Sequence, residues 1–422
     1  MKAGSQRLRL SALRALLSLT PALPHAVVAG SPDDEGNSVE MARALAKHLR
    51  VYWLVGEEPA SLWWLVADAD GADNIRCLPR DSLRAFLSYL TARYIFFTHG
   101  LYGCPTPPPH KMIVNLWHGD GPKSRKGFAN IHSSVIVAGT QQWGKRRPQI
   151  FQIPEESVLI TGNPRVDQFD RPAGPAQLAS LRLPEGRPLV LWMPTYRRTE
   201  YRGHRLGTMR NWADGQEISD SVQVRRFAEE LAELADRLGI TVAIKPHPLD
   251  ADNYEATGLR VITRSELARA RTTLYQLLGA SSGLITDYSN VWTDYLCLDR
   301  PIGYYCPDLE TYQVVRGLNV SDYRSLMAGP QLQSVQDVER FLWDCLHESA
   351  QSKAQRHRIA DQIGARLGTG ASQRLLDALG IASPRPVDHG IDEPRQHLAT
   401  ETAEGMTAPP GTSPSADRPS WR

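Results

Sequence analysis

Short runs that are apolar on both faces, each followed by a helical pattern, constrain this chain more than any other feature. "HAVVAG" (25–30), "VYWLVG", "LWWLVAD", "YIFFTHG", "MIVNLWHG" and "SVIVAGT" follow one another through the first 140 residues. A strand with one wet face alternates polar and apolar residues, and these do not. They read as strands of a parallel sheet covered by helices on both sides, the α/β class. Gly36, Asn37 and Ser38 open one such helix, with Val39, Ala42, Leu45, Ala46 and Leu49 along one face.

The pattern stops at "DRPAGPAQLASLRLPEGRP", a linker rich in proline and glycine with a short helix, and then restarts. "LVLWMPTYR", "TVAIKPHP", "LRVIT", "GLITD" and "PIGYY" are the second set of strands. Helices are expected over 221–238, 272–279 and 289–297. A length of 422 residues suits two such domains. The expected boundaries are 25–175 and 176–382. Residues 383–422 have few large apolar side chains and read as a disordered tail. Residues 1–24 read as a basic amphipathic segment that packs on the fold or touches an anionic membrane surface.

Charge and cysteine content exclude several classes. The 48 basic and 46 acidic residues leave a net charge of +2, which gives no general argument for nucleic acid. The five cysteines are scattered and odd in number, without CxxC spacing. They fit ordinary thiols in a reducing compartment, not a disulfide framework or a zinc site.

Open parallel sheets bind ligands beyond the carboxyl ends of their strands. His118 follows "MIVNLW" and precedes Lys123, Arg125 and Lys126. A histidine there suits a base, with cations for a phosphate, or else a capping histidine beside a solvated basic loop. In "KPHP", Lys245 and His247 alternate on an extended segment and face one side. In "TDYSN", Asp287 ends a strand, and Ser289 and Asn290 stand where a helix begins, as caps or as an anion site. "PTYRR" adds Thr195, Arg197 and Arg198 after another strand. In "GNPRVDQF", Arg165 and Asp167 are expected to pair. No Walker-type or GxGxxG fingerprint is present.

Taken in order, "WHGDGPK", "TGNPRVDQF", "MPTYR", "KPHP", "TDYSNVWTDYLCLDRPIGYY" and "DLETYQVVRGL" resemble the CDP-glycerol glycerophosphotransferase family, the teichoic-acid primases and polymerases of bacterial cell walls. The resemblance covers residues 25–380. It implies a GT-B-like fold, two Rossmann-like parallel-sheet domains facing a cleft. It makes 25–175 the acceptor side and 176–382 the CDP-donor side. It implies transfer of glycerol phosphate, or a related alditol phosphate, from CDP-glycerol to a hydroxyl of a polymer or lipid-linked primer, with release of CMP. His118 becomes the base, and His247 a second catalytic histidine. Lys123, Thr195, Arg197, Lys245, Asp287, Tyr288, Ser289, Asn290 and Arg316 become donor or phosphate contacts. The implied place is the cytoplasmic face of the cell membrane, without cofactor, metal or nucleic acid.

Asp120 replaces the threonine usual after His-Gly in that family, and Asn290 stands where serine is frequent. A carboxylate beside His118 is expected to raise its pKa or to repel an anionic acceptor. Two other readings fit the same residues: a GT-B glycosyltransferase using a nucleotide sugar, and a non-catalytic binding homologue.

Overall fold

A computed structural model describes residues 2–123, 131–195, 221–246, 254, 257–315 and 317–381. Seven parallel strands form the first sheet: β1 (Leu23–Ala29), β2 (Arg50–Val55), β3 (Ile75–Pro79), β4 (Ala92–Phe97), β5 (Met112–Asn115), β6 (Val135–Ala138) and β7 (Val158–Ile160). Their order is β3-β2-β1-β4-β5-β6-β7. Five more form the second: β8 (Leu189–Trp192), β9 (Thr241–Ile244), β10 (Arg260–Val261), β11 (Gly283–Thr286) and β12 (Ile302–Tyr304), in the order β10-β9-β8-β11-β12. Every pairing within these sheets is parallel, so all carboxyl ends in one sheet lie along one edge. Each sheet reverses its strand order once, between β1 and β4 in the first and between β8 and β11 in the second. These are the switch points where α/β sheets open a crevice.

The central strands are apolar because helices cover both faces. Val28, Trp53, Phe96 and Val114 pack on one side of the first sheet, and Val27, Leu54, Ile95 and Ile113 on the other. A further core joins the two halves: Trp143, Val166 and Phe169 pack with Tyr275, Leu277, Trp292 and Tyr295. The helix Ala371–Ala378, on the second half by sequence, crosses back. Leu375 and Leu376 enter the first sheet's core. Asp167 accepts the backbone N–H groups of Gly370, Ala371 and Ser372 at 2.7–2.8 Å, fixing that return.

One expectation from the sequence changes here. "LWWLVAD" is not a strand: it holds the end of a helical turn, Pro59–Leu62, and a 3₁₀ turn, Trp63–Leu65. A short apolar run is ambiguous between strand and buried helix. The edge strand β3 carries no continuous apolar run, since Arg76 and Pro79 are exposed within it. The N-terminal segment is a helix, Lys2–Leu19. Leu17 is buried beside Ala85, Tyr89 and Leu90, and Thr20 donates to the Leu90 carbonyl at 2.5 Å. None of the five cysteines forms a disulfide. The tail 383–422 lies outside the described residues.

Candidate functional site

The strand β5 ends at Asn115, and the chain then bends sharply to present His118. Asn115 Oδ1 accepts the Trp117 N–H at 2.9 Å, and Asn37 Nδ2 donates to the Trp117 carbonyl at 3.2 Å. These bonds hold Trp117 at φ +56°, a left-handed conformation that a tryptophan adopts only at a cost of about 1–3 kcal/mol. Gly119, at φ +142°, completes the bend where an L side chain is strained. His118 is half-buried. Its carbonyl accepts from Arg165 Nη1 at 2.9 Å, and its ring lies 4.1 Å from that of His99 and 12° from parallel.

Asp120 does not stand as a charge open to His118. It is buried, and its carboxylate bonds to Arg147 and to the Gly139 N–H. Burial pushes its carboxyl above the usual range, and Arg147 and the Gly139 N–H pull the other way. The acid that replaces threonine therefore brings its own buried cation, which also lies 5.6 Å over the Trp117 ring. The expectation that it repels an acceptor fails for that reason.

The loop after His118 is seated against the second half of the chain. Gly121 has no room for a side chain, because a Cβ there runs into Asn290. Thr293 Oγ1 donates to the Asp120 carbonyl at 2.9 Å. Asn319 donates through Nδ2 to the Gly121 carbonyl and through its backbone to that of Pro122, at 2.8 and 2.7 Å. Lys123 forms an isolated bridge with Leu318. The WHGDGPK and TDYSN segments, some 170 residues apart in sequence, thus meet directly.

A buried ion pair underlies this junction. Arg165 does not pair with Asp167; its Nε and Nη2 donate to Asp294 Oδ2 at 2.9 and 2.6 Å. Asn163 Nδ2 and Tyr275 Oη donate to the same carboxylate at 2.7 and 2.5 Å. Burial opposes the Arg165 charge, but Asp294, Tyr275 and Glu35 outweigh it and raise its pKa. Glu35 lies 3.6 Å from Arg165 Nη1 and accepts the Ser38 N–H at 3.1 Å, capping the helix Gly36–Ala46. Its carboxyl is pushed up to about 7, chiefly by burial.

At the switch point of the second sheet, Asp287 is buried. It accepts from the Thr195 backbone at 2.8 Å, the Thr195 hydroxyl at 2.5 Å and the Ser289 N–H at 3.1 Å. Tyr288 is fully buried, donates to Asp308 at 3.0 Å and stacks on Tyr312 at 3.9 Å. Asp287, Thr195 and Tyr288 therefore shape this turn from inside. Ser289 and Asn290 are half-buried at its surface, and Asn290 makes no side-chain cap on the five-residue helix Val291–Tyr295. Lys245 is half-buried, with Nζ 3.1 Å from the Pro246 carbonyl. Burial, then the charge of Arg264, lowers its pKa. Arg264 in turn reaches across to Asp34 of the first half with two bonds of 2.8–3.0 Å. His247, Arg197 and Arg316 lie outside the described residues, as do Arg125, Lys126 and Arg198. Among the described residues no group of three or more His, Cys, Asp or Glu is placed to hold a metal ion.

Sequence reasoning passed over His99, Arg147, Glu35 and Asn319, and did not single out Asp294. The available signal for His99 was its place at the end of a strand run, "YIFFTHG". The partnership of Arg165 with Asp294 spans 129 residues and had no local signal.

With this geometry in view, comparison with known proteins gives one family. The pattern described as CDP-Glycerol:Poly(glycerophosphate) glycerophosphotransferase matches residues 33–380. A teichoic acid glycerol-phosphate primase from Bacillus spizizenii is 23% identical over 248 residues, 53% of this chain and 58% of the relative. The chain thus spans little more than half the length of the first curated relatives it matches. The wall teichoic acid polymerase TagF superposes with a TM-score of 0.63 at 17% identity, over 89% of this chain and 96% of that one. A TagF variant soaked with CDPG superposes at 0.60, again at 17% identity, over 88% and 93%. The two-sheet fold is GT-B-like.

Proposed function

The chain belongs to the CDP-glycerol:poly(glycerophosphate) glycerophosphotransferase family, and from that premise we propose that it moves an alditol phosphate from a CDP-alditol, CDP-glycerol first, to a hydroxyl of a wall or capsule polymer or its primer. The observation that carries this reading is the meeting of the His118 loop with the TDYSN turn, glycine against Asn290, over the Arg165–Asp294 pair. It sets a half-buried histidine after a strand of one sheet near a strand-to-helix turn of the other, which supports a reading in which base and donor meet there.

In this reading His118 takes the acceptor's proton. The acceptor oxygen forms a bond to the phosphorus that carries glycerol. The bond from that phosphorus to the bridging oxygen breaks, and CMP leaves with the electron pair. Such transfers depend on positioning and on charge stabilisation. Lys123 and Lys245, together with Arg197, His247 and Arg316, are the proposed donor contacts, beside Ser289 and Asn290. Asp287, Thr195 and Tyr288 act behind them as the frame of the turn. The soak of TagF with CDPG supports the donor class.

The proposed acceptor is lipid-linked, and the chain works at the inner membrane face. No helix among the described residues is long and apolar enough to cross a membrane. The N-terminal helix and its neighbour Leu83–Thr91 instead expose Leu8, Leu16, Leu19, Leu83 and Leu87, with Arg9, Arg14 and Arg84 exposed among them. Exposed leucines interspersed with exposed arginines suit an anionic lipid interface. Deleting residues 1–20 is expected to release the protein from vesicles containing anionic lipid.

The direct test is CMP release from CDP-glycerol and from CDP-ribitol, with a lipid-like primer, by wild type and His118→Ala. Release from one donor, lost in the variant, supports the reading. Turnover of a UDP- or GDP-sugar in place of both would make the chain a glycosyltransferase. Binding of CDP-glycerol without CMP release would make it a non-catalytic homologue.

A further inference from the structure

We propose that His99 is a positioning residue of this centre, holding the His118 imidazole in the pose from which it serves the acceptor hydroxyl; this rests on the transfer reading above. His99 stands two residues past the end of β4, at the switch point of the first sheet, and is exposed. Its ring and that of His118 form a stacked pair, with centroids 4.1 Å apart and planes 12° from parallel.

His99 is itself fixed from below. Its Nδ1 lies 3.0 Å from Thr98 Oγ1, which accepts the Ser31 N–H at 3.2 Å. Thr98 is fully buried, and its backbone N–H donates to the Ala29 carbonyl at the end of β1. A line of contacts therefore runs from the end of β1 through Thr98 and His99 to His118.

The His118 carbonyl is held by Arg165, and Trp117 and Gly119 fix the backbone on either side. None of these sets the ring, because χ2 of a histidine is broad and has no sharp staggered preference. The Trp117 ring, 3.9 Å away, is tilted by 38° and does not lie flat on it. The near-parallel His99 ring restricts rotation about χ2, and with it the direction in which a ring nitrogen points. Loss of that alignment acts on rate, since a misplacement of about 1 Å can cost 10²-fold.

The test is CMP release by wild type, His99→Ala and His99→Phe. His99→Ala is expected to lower kcat about tenfold by misalignment, with KM for CDP-glycerol unchanged, since the proposed role acts through the base. His99→Phe keeps a flat ring and is expected to recover most of the rate. Equal kcat in wild type and His99→Ala overturns the proposal. So does a loss that phenylalanine fails to rescue, which would make the His99 nitrogens the active element.

A second measurement is independent of the donor. Diethyl pyrocarbonate modifies accessible imidazoles, and mass spectrometry reads the rate at His118. His99→Ala is expected to speed modification several-fold, and His99→Phe to leave it near wild type. Equal rates in all three overturn the stack. Should wild type release no CMP from either donor while His99→Ala still speeds modification, the transfer reading fails and the pairing of the rings stands.

Discussion

The two switch points of this molecule use their polar residues in opposite ways. At the second sheet, Asp287, Thr195 and Tyr288 turn inward and satisfy one another. At the first sheet, His99 is exposed at the switch point and His118, after the neighbouring strand β5, is half-buried, with Thr98, Asn37, Asn115 and Arg165 bonded behind them. One end is a frame whose motif residues are the frame itself. The other is the proposed place of the base, and its frame is made of residues outside the obvious motif. A motif at a strand end therefore names a place, and burial decides whether each member of it touches ligand or holds the wall.

The comparison predicts different failures at the two ends. The largest belongs to His118→Ala. Removing a general base costs about 10²–10⁴-fold in turnover, and because His118 is half-buried at the surface the fold is expected to survive. Steady-state CMP release and a urea unfolding curve on the same sample check both halves. A variant that unfolds with its activity would place His118 with the frame.

Next comes the pair that joins the two ends. Arg165→Met leaves Asp294 buried without its cation, and breaking such a pair costs about 3–5 kcal/mol. The shift should appear in the urea midpoint. Arg165→Met combined with Asp294→Leu is expected to regain part of that stability, since no lone charge is left, yet not the activity, since the His118 carbonyl has lost its donor. Full recovery of both would remove Arg165 from the site.

Asp287→Asn tests the inward-facing end. One amide oxygen replaces a carboxylate that accepts three hydrogen bonds, at a cost of about 1–3 kcal/mol. Stability and KM for CDP-glycerol should change together, because the turn that carries Ser289 and Asn290 loosens. A fall in kcat alone, with stability and KM unchanged, would place Asp287 in the chemistry.

These contrasts show what the sequence made readable. Both sheets were legible because their central strands are buried on both faces and so read as unbroken apolar runs. The edge strand β3 was not: Arg76 and Pro79 are exposed there, and the run disappears. His118 stood out through the cations that follow it. His99 ends a strand in the same manner but is followed by "GLYGCP", which carries no charge. Asp120 was misjudged because its partner Arg147 lies 27 residues away on another element. Local patterns reveal what packs against a sheet; they carry nothing about which distant side chain answers a buried charge.

The smallest expected effect concerns Glu35, which borders both Arg165 and the start of the helix Gly36–Ala46. Its carboxyl titrates at about 7 in the folded chain against an ordinary value of 4.5, with burial as the main cause and Arg165 opposing it. Between those values the folded chain holds a proton that the unfolded chain has released, so stability falls as the pH rises across that window. This contribution is fully present below pH 4.5 and is lost as the pH passes 7. Glu35→Gln cannot ionise and escapes that loss. The variant and wild type are expected to lie within about 1 kcal/mol of each other at pH 5, and the variant to be the more stable by about 1–3 kcal/mol at pH 8. Urea midpoints at the two pH values measure the difference. A gap that is the same at both would mean that Arg165 already holds Glu35 ionised throughout. The Arg165 cation would then be shared between Glu35 and Asp294, and the frame behind His118 would rest on two carboxylates.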